Sequence, residues 1–371
     1  MKVTLQTLVD LQSELLWLTS LSFVLCILFI VLAKRTSLLT GRPQDLTAVQ
    51  AMHDAPTPRI GGIAIFSAFA LSGVFAPTEL SQPYRDFILA TSFLFCVGLL
   101  EDLGIHISPW KRLLACVIAS LLVIWLLGVW LPRLGIPGID SRMGLWFIGV
   151  PVTLLITAGV ANGFNLIDGV NGLASGTSLV AALAFAAIAH QAAYPHMVSL
   201  ALMLAAGIFG FFLLNFPFGL VFLGDAGAYT IGFVLSWFGI SILLNAPDAS
   251  PWAIFLTVFW PIADTLLAMV RRRRRVQGSM VPDRLHVHQL VMRALEIYIL
   301  GRRRRRFANP LSTVLLAPFV IAPPLVGVLL WDQNRLAFGA VVVFFGLFFG
   351  SYIAAFRILP GLTRISGKLK E

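Results

Sequence analysis

Along Ala161-Asn162-Gly163-Phe164-Asn165-Leu166-Ile167-Asp168-Gly169-Val170-Asn171-Gly172, amides, a carboxylate and glycines interrupt an otherwise apolar sequence. Ionisable groups at bilayer depth cost roughly 2.5–3.5 kcal/mol each on insertion scales, so such a break lines a cavity or binds something. Asn165 and Asp168 share a face if the segment is helical. The glycines permit close backbone approach to a ligand, although Asp168-Gly169 and Asn171-Gly172 are also ordinary turn dipeptides. Carboxylates beside glycines recur at Glu101-Asp102 and in Phe222-Leu223-Gly224-Asp225-Ala226-Gly227. Neighbouring carboxylates on a regular helix point about 100° apart, so Glu101 and Asp102 face one ligand only near a helix end. There they suit a hard cation such as Mg²⁺, which takes one or two carboxylates and completes its shell with phosphate oxygens. Solvated helix-end charge is the alternative for that pair, and helix capping for Asp225.

Asp264 lies about 10 Å inside the membrane from the arginine run that begins at Arg271, and needs a partner or water there. Asp283-Arg284-Leu285-His286-Val287-His288-Gln289 stands between Arg271–Arg275 and Arg302–Arg306. A His-x-His pair without cysteine or a third ligand is a poor transition-metal site. Arg284, His286 and His288 can instead donate hydrogen bonds to phosphate or sugar oxygens. The two arginine runs read first as topogenic charge and second as anchors for anionic lipid or substrate.

The elements that must position these residues are membrane helices. Of 371 residues, 58% are hydrophobic and 12% charged, with a mean hydropathy of +0.89. The apolar runs predict an all-α, polytopic integral membrane bundle of about eleven transmembrane helices, at roughly 15–33, 61–77, 86–104, 113–132, 145–161, 174–193, 197–216, 226–245, 252–270, 311–331 and 336–357. The first reads as an uncleaved anchor. With the N-terminus outside and the C-terminus cytoplasmic, every Lys and Arg except Lys2, Arg85, Arg133, Arg142 and Arg335 falls on the cytoplasmic side, as the positive-inside rule requires. The net charge of +10 therefore reports orientation and anionic headgroups, not nucleic acid. Cys26, Cys96 and Cys116 lie in apolar spans without CxxC spacing, so neither a disulfide framework nor a zinc site is expected. The chain reads as one transmembrane domain over 1–371, with a basic cytoplasmic loop at 271–309 carrying the His-x-His motif. On this topology every polar cluster falls at a cytoplasmic helix end, which points to one active site at the cytosolic membrane surface.

Taken together, Pro58-Arg59-Ile60-Gly61-Gly62, Gly98-Leu99-Leu100-Glu101-Asp102, Asn162-x-x-Asn165-x-x-Asp168-Gly169-x-Asn171-Gly172-Leu173, Phe222-Leu223-Gly224-Asp225 and Asp283-Arg284-x-His286-x-His288 resemble the polyprenyl-phosphate N-acetylhexosamine-1-phosphate transferases. The span count looks like the bacterial branch that starts O-antigen, enterobacterial common antigen or teichoic acid linkage units. The resemblance implies transfer of a sugar-1-phosphate from a UDP-sugar to undecaprenyl phosphate in the bacterial inner membrane, releasing UMP. It also implies a need for Mg²⁺, with Mn²⁺ as the alternative ion. It makes Asp225 the leading metal ligand, with Asp102 and Asp168 as the other catalytic carboxylates and Asp102 also at the metal. Asn215 and Phe222 match positions at the uridine, and Arg284, His286 and His288 the loop that handles diphosphate and sugar. Glu101 and Asp264 join the expected catalytic set, and Asn165, Asn171 and Arg59, the last within the resembling Pro58–Gly62 motif, join the substrate-binding set. Glu101 stands where the family usually has Asp, Asn171 where Asp is common, and Gln289 where close relatives often carry another His.

Such a reaction proceeds by direct in-line attack of the lipid phosphate or through a phospho-enzyme at Asp102 or Asp168. Two rivals have other signatures. A secondary transporter should hold its site near the bilayer midplane, and a CDP-alcohol phosphotransferase carries a dense Asp-rich helix motif that is absent here. Association into a homo-oligomer stays open.

Overall fold

In the lipid core each backbone N–H and C=O must be satisfied within its own segment, so apolar runs coil into helices and break where Gly, Pro and polar residues collect. A computed structural model describes residues 5–33, 35, 57–273, 286–301 and 304–358. They form α1 (Leu5–Ala33), α2 (Gly61–Phe75), α3 (Ser81–Asp102), α4 (Pro109–Leu127), α5 (Trp146–Ile167), α6 (Leu173–Gln191) and α7 (Pro195–Asn215). There follow α8 (Gly224–Asn245), α9 (Pro251–Thr257), α10 (Phe259–Arg273), α11 (Val287–Leu295), α12 (Arg305–Leu329) and α13 (Asn334–Ile358). Among the described residues nine helices are long and apolar enough to cross a membrane, or ten if α9 and α10 make one span. The described residues are therefore those of a helical, multi-pass membrane protein. Large apolar side chains such as Trp17, Val342 and Leu347 face outward from α1 and α13, where lipid covers them.

Two expected spans take a different form. The segment expected at 61–77 is a helix of 15 residues, about 22 Å long against a hydrocarbon core of about 30 Å. The segment expected at 252–270 bends by 82° between α9 and α10. Pro261 supplies the cause, because it has no N–H for the Thr257 carbonyl and its ring crowds that turn. The fifth span runs on to Ile167, so Asn162 and Asn165 are helical and the turn begins only at Asp168. Within the expected loop at 271–309, α11 continues into a π-helical turn, Glu296–Leu300, that leads towards α12.

The helix α8 is the axis of the bundle, and every residue from Leu223 to Ile240 is buried. Helices α2, α3 and α5 pack directly on it, and they come close because glycines meet there. A Cβ on Gly62 would lie 2.3 Å from Gly227 N, one on Gly98 2.6 Å from Ala226 Cα, and one on Gly232 2.7 Å from Ala161 Cα. At the far end Arg133 donates to the carbonyls of Leu243, Ala246, Pro247 and Ala249 at 2.6, 2.9, 2.8 and 2.8 Å. It thereby caps the last turn of α8 at Leu243 and ties the loop that follows to it. Helices α3, α5 and α7 end at the same pole of the bundle where α4, α6 and α8 begin, and this pole collects the polar residues.

Gly62→Ala should cost about 1–3 kcal/mol, as overpacking does. Gly159→Ala, whose Cβ meets open space, should be neutral or slightly stabilising. SDS-titrated unfolding of both variants beside wild type measures the contrast.

Candidate active site

Residues 57–62 run as a strap across the start of α8. Phe222 N–H donates to the Pro58 carbonyl at 2.8 Å, and Gly61 and Gly62 N–H donate to the carbonyls of Phe222 and Leu223, each at 2.9 Å. The strap sets Arg59 beside Gly224, whose φ is +72°. A Cβ there would lie 2.1 Å from the Arg59 carbonyl oxygen and 2.6 Å from Asp102 Oδ2, so only glycine fits.

Asp102 ends α3 and reaches the first turn of α8. It accepts Asp225 N–H on Oδ1 at 2.9 Å and Ala226 N–H on Oδ2 at 2.8 Å. Those donors lack intrahelical acceptors, and a carboxylate suits the positive end of the helix dipole. The contact aims Asp225, which is 4% exposed. Its Oδ2 accepts from Arg112 Nη1. Its Oδ1 accepts from Asn165 Nδ2 at 2.9 Å, with Arg59 Nη2 at 3.5 Å. Asp168, immediately after α5, is half-buried, and desolvation pushes its carboxyl up to about 7 against the pull of Arg59 and the Gly224 N–H. Asp102, Asp168 and Asp225 thus surround the backbone of residues 224–226, with two guanidinium groups beside them. Among the described residues no three His, Cys, Asp or Glu side chains form a protein-only metal cage.

The remaining candidates divide. Glu101 points away from this turn: it accepts Ile107 N–H and lies 3.9 Å from His106 Nδ1, bracing the loop between α3 and α4. Asn215 Oδ1 accepts Gly172 N–H at 2.8 Å and Ser175 Oγ at 2.9 Å, while its Nδ2 donates to the Val221 carbonyl at 2.9 Å. Asn171 donates from Nδ2 to the Pro217 carbonyl at 3.1 Å and from its backbone N–H to Asn309 Oδ1 at 2.8 Å. These two asparagines hold the 168–172 turn and the 215–224 loop together, and the buried Asn171 Oδ1 keeps no partner. Phe222 is half-buried and contributes its backbone to the strap. Arg284 lies outside the described residues.

Asp264 finds its partner in the His-x-His motif. It is fully buried on α10, its Oδ2 is 2.7 Å from His286 Nδ1, and its Oδ1 accepts Val287 N–H at 3.3 Å. The His286 and His288 rings stack with centroids 5.6 Å apart. His288 is 1% exposed; its Nδ1 lies 4.0 Å from Asp264 Oδ2, and neither ring nitrogen makes a hydrogen bond. Burial holds His288 down at about 4, aided by His286 and Arg271 and opposed by Asp264, so it is neutral at pH 7. Its Nε2 is 3.0 Å from where a Cβ on Gly169 would stand, so the motif abuts the turn that carries Asp168.

Sequence reasoning missed Arg112, which it counted only as cytoplasmic charge. The available signal was its place on the first turn of the helix that follows Glu101-Asp102, next to a buried carboxylate that needs a counter-charge.

Residues 85–243 match the family described as Glycosyl transferase family 4. Over 295 residues the chain is 30% identical to a Bacillus subtilis protein named probable undecaprenyl-phosphate N-acetylglucosaminyl 1-phosphate transferase, an alignment covering 77% of this chain and 81% of that one. The chain belongs to this family. It is also 28% identical over 298 residues to an undecaprenyl-phosphate alpha-N-acetylglucosaminyl 1-phosphate transferase of Yersinia pestis, covering 77% and 78% of the two chains. A decaprenyl-phosphate N-acetylglucosaminephosphotransferase of Mycobacterium tuberculosis is 29% identical over 319 residues, covering 73% and 78%. The family match contains Asp102, Arg112, Asn165, Asp168 and Asp225, whereas Arg59, Asp264, His286 and His288 join them through the fold.

A double-mutant cycle of Asp264→Asn and His286→Gln should show a coupling of about 0.5–3 kcal/mol in SDS-titrated unfolding, as for residues in one buried pair. Strictly additive losses would mean that the two side chains do not act together.

Proposed function

We propose that this chain transfers an N-acetylhexosamine-1-phosphate from a UDP-sugar to undecaprenyl phosphate, releasing UMP, and so starts a cell-envelope polysaccharide such as O-antigen. The observation that carries this reading is the meeting of three carboxylates and two guanidinium groups around one backbone turn at a helix end. A transporter site would lie near the midplane. The relatives are transferases to polyprenyl phosphates, which favours neither that rival nor a CDP-alcohol enzyme. The reading takes the bundle as eleven crossings with the N-terminus outside, α2 and the bent α9–α10 pair each counted once. The carboxylate pole, with Lys111 and the start of the arginine run at Arg271, is then cytosolic, in a bacterial inner membrane.

The nucleophile is an oxygen of the lipid phosphate. Its second pKa near 6 leaves it mostly dianionic at pH 7, so it needs no carboxylate base. It attacks the sugar-bearing β-phosphorus in line; the new P–O bond forms as the bond from that phosphorus to the bridging oxygen breaks, and UMP departs with the electron pair. Arg59 and Arg112 offset the charge of the diphosphate, and Asn165 orients the Asp225 carboxylate. Neutral His288 offers one donor and one acceptor to substrate oxygens. Asp225 and Asp102 would hold Mg²⁺, or Mn²⁺ in its place. The donor set fits, because both residues offer hard oxygens with lone pairs beyond the bonds they already accept, and phosphate oxygens complete such a shell. When bound, the ion would neutralise charge developing on the leaving oxygen.

Asp225→Asn keeps the shape of the side chain but loses its charge, and should leave less than about a tenth of wild-type activity at saturating Mg²⁺. The assay is UMP release from UDP-N-acetylglucosamine by membranes supplied with undecaprenyl phosphate. A greater residual rate would refute the ligand assignment. In the same assay Glu101→Gln, which touches only the loop, should lose about tenfold, and Asp102→Asn, which sets an amide against two N–H donors, about a thousandfold. Equal losses would show that the two carboxylates share one role.

A further inference from the structure

Arg112 makes the strongest claim on Asp225. Its side chain is 18% exposed and that of Arg59 39%, so the Arg112 pair is the better shielded from water. Only one of its donors is used in this way: the buried Arg112 Nε–H has no acceptor. In the same position the guanidinium also faces an aromatic ring. Its Cζ lies 5.9 Å from the centroid of the Tyr229 ring, one turn along α8 from Asp225. Tyr229 is fixed in turn by its hydroxyl, 3.3 Å from Asn162 Oδ1 on the helix that supplies Asn165.

A carboxylate oxygen already bonded to a guanidinium presents less charge and fewer lone pairs to a metal. An arginine already over an aromatic face keeps that favourable partner when a cation takes its carboxylate. We propose that Arg112 is a positioning residue that competes with the divalent cation for Asp225, and that it rests on Tyr229 once the cation has taken that carboxylate. There its planar fork turns towards the phosphates of the bound substrate. This rests on the reading of Asp225 as a metal ligand. Metal entry and phosphate capture are thereby linked: the cation that displaces Arg112 also releases donors for the anion that follows.

The test is Mn²⁺ binding without either substrate, measured by loss of the EPR signal of free Mn²⁺, on the purified full-length protein in nanodiscs. Wild type, Arg112→Gln, Arg112→Lys and Asp225→Asn are compared. Removing the competitor should lower the Mn²⁺ Kd of Arg112→Gln by about tenfold. Arg112→Lys keeps the charge but loses the fork, and should fall in between, by about threefold. Substrate turnover by Arg112→Gln should drop even at saturating metal, so tighter metal binding would accompany slower transfer. A Kd in Arg112→Gln equal to or above wild type, with binding lost in Asp225→Asn, overturns the proposal and leaves the ligand assignment intact. Mn²⁺ binding that survives in Asp225→Asn, or that is absent from both wild type and Arg112→Gln, overturns the assignment and the proposal together. If the Gln variant does not fold, the Lys variant decides: a Kd at or above wild type overturns the competition.

Discussion

The rest of the site depends on the bond between one carboxylate and the open end of the central helix. Asp102 closes α3 and accepts the first-turn N–H groups of Asp225 and Ala226, which an isolated helix leaves without protein partners. That contact orients Asp225, and it requires Gly224 to turn with positive φ directly beneath it. It also requires the neighbouring helices to approach within backbone distance, which is why Gly62 and Gly98 face α8 without side chains. A larger residue at any of these glycines would push apart the segments that carry the charged groups.

Charge balance sets the next constraint. Three acidic side chains around one backbone turn repel one another, and only Arg59, Arg112 and the local N–H groups oppose that repulsion. The raised carboxyl of Asp168 records its removal from water, which outweighs the pull of Arg59 and the Gly224 N–H. Such a cluster is costly in an apolar bundle unless a ligand uses it, and a phosphate-bearing ligand with a cation would complete its charge. At a helix end, the same groups stand within reach of both a water-soluble donor and a lipid headgroup.

Around this centre the fold assigns supporting work to residues that look alike in sequence. Asn165 reaches the Asp225 carboxylate, while Asn171 and Asn215 use their amides on backbone groups and keep the 168–172 turn and the 215–224 loop in register. Asp264 binds His286 deep in the protein, and the ring stacked beside it, His288, is carried against Gly169 with neither nitrogen hydrogen-bonded. A buried acid, a histidine pair and a glycine turn therefore form one unit although they come from three separate segments.

The sequence by itself determined the class of the molecule, because long apolar runs leave the backbone no option but helices, and it marked the acidic residues because charge is conspicuous in such runs. It also carried the signal for the bend at Val258, since Pro261 cannot donate to Thr257, and the family resemblance that fixed the chemistry to expect. Tertiary structure decided which charges meet. Arg112 and Lys111 are adjacent and both basic, yet Arg112 turns to Asp225 while Lys111 is exposed, because the packing of α4 on α3 and α5 selects one face of the helix. Glu101 and Asp102 are adjacent and equally acidic, yet they diverge for the same reason, one to the loop and one to the helix end. Side-chain direction around a helix follows from sequence spacing, but the neighbour it points to is fixed only when the helices pack.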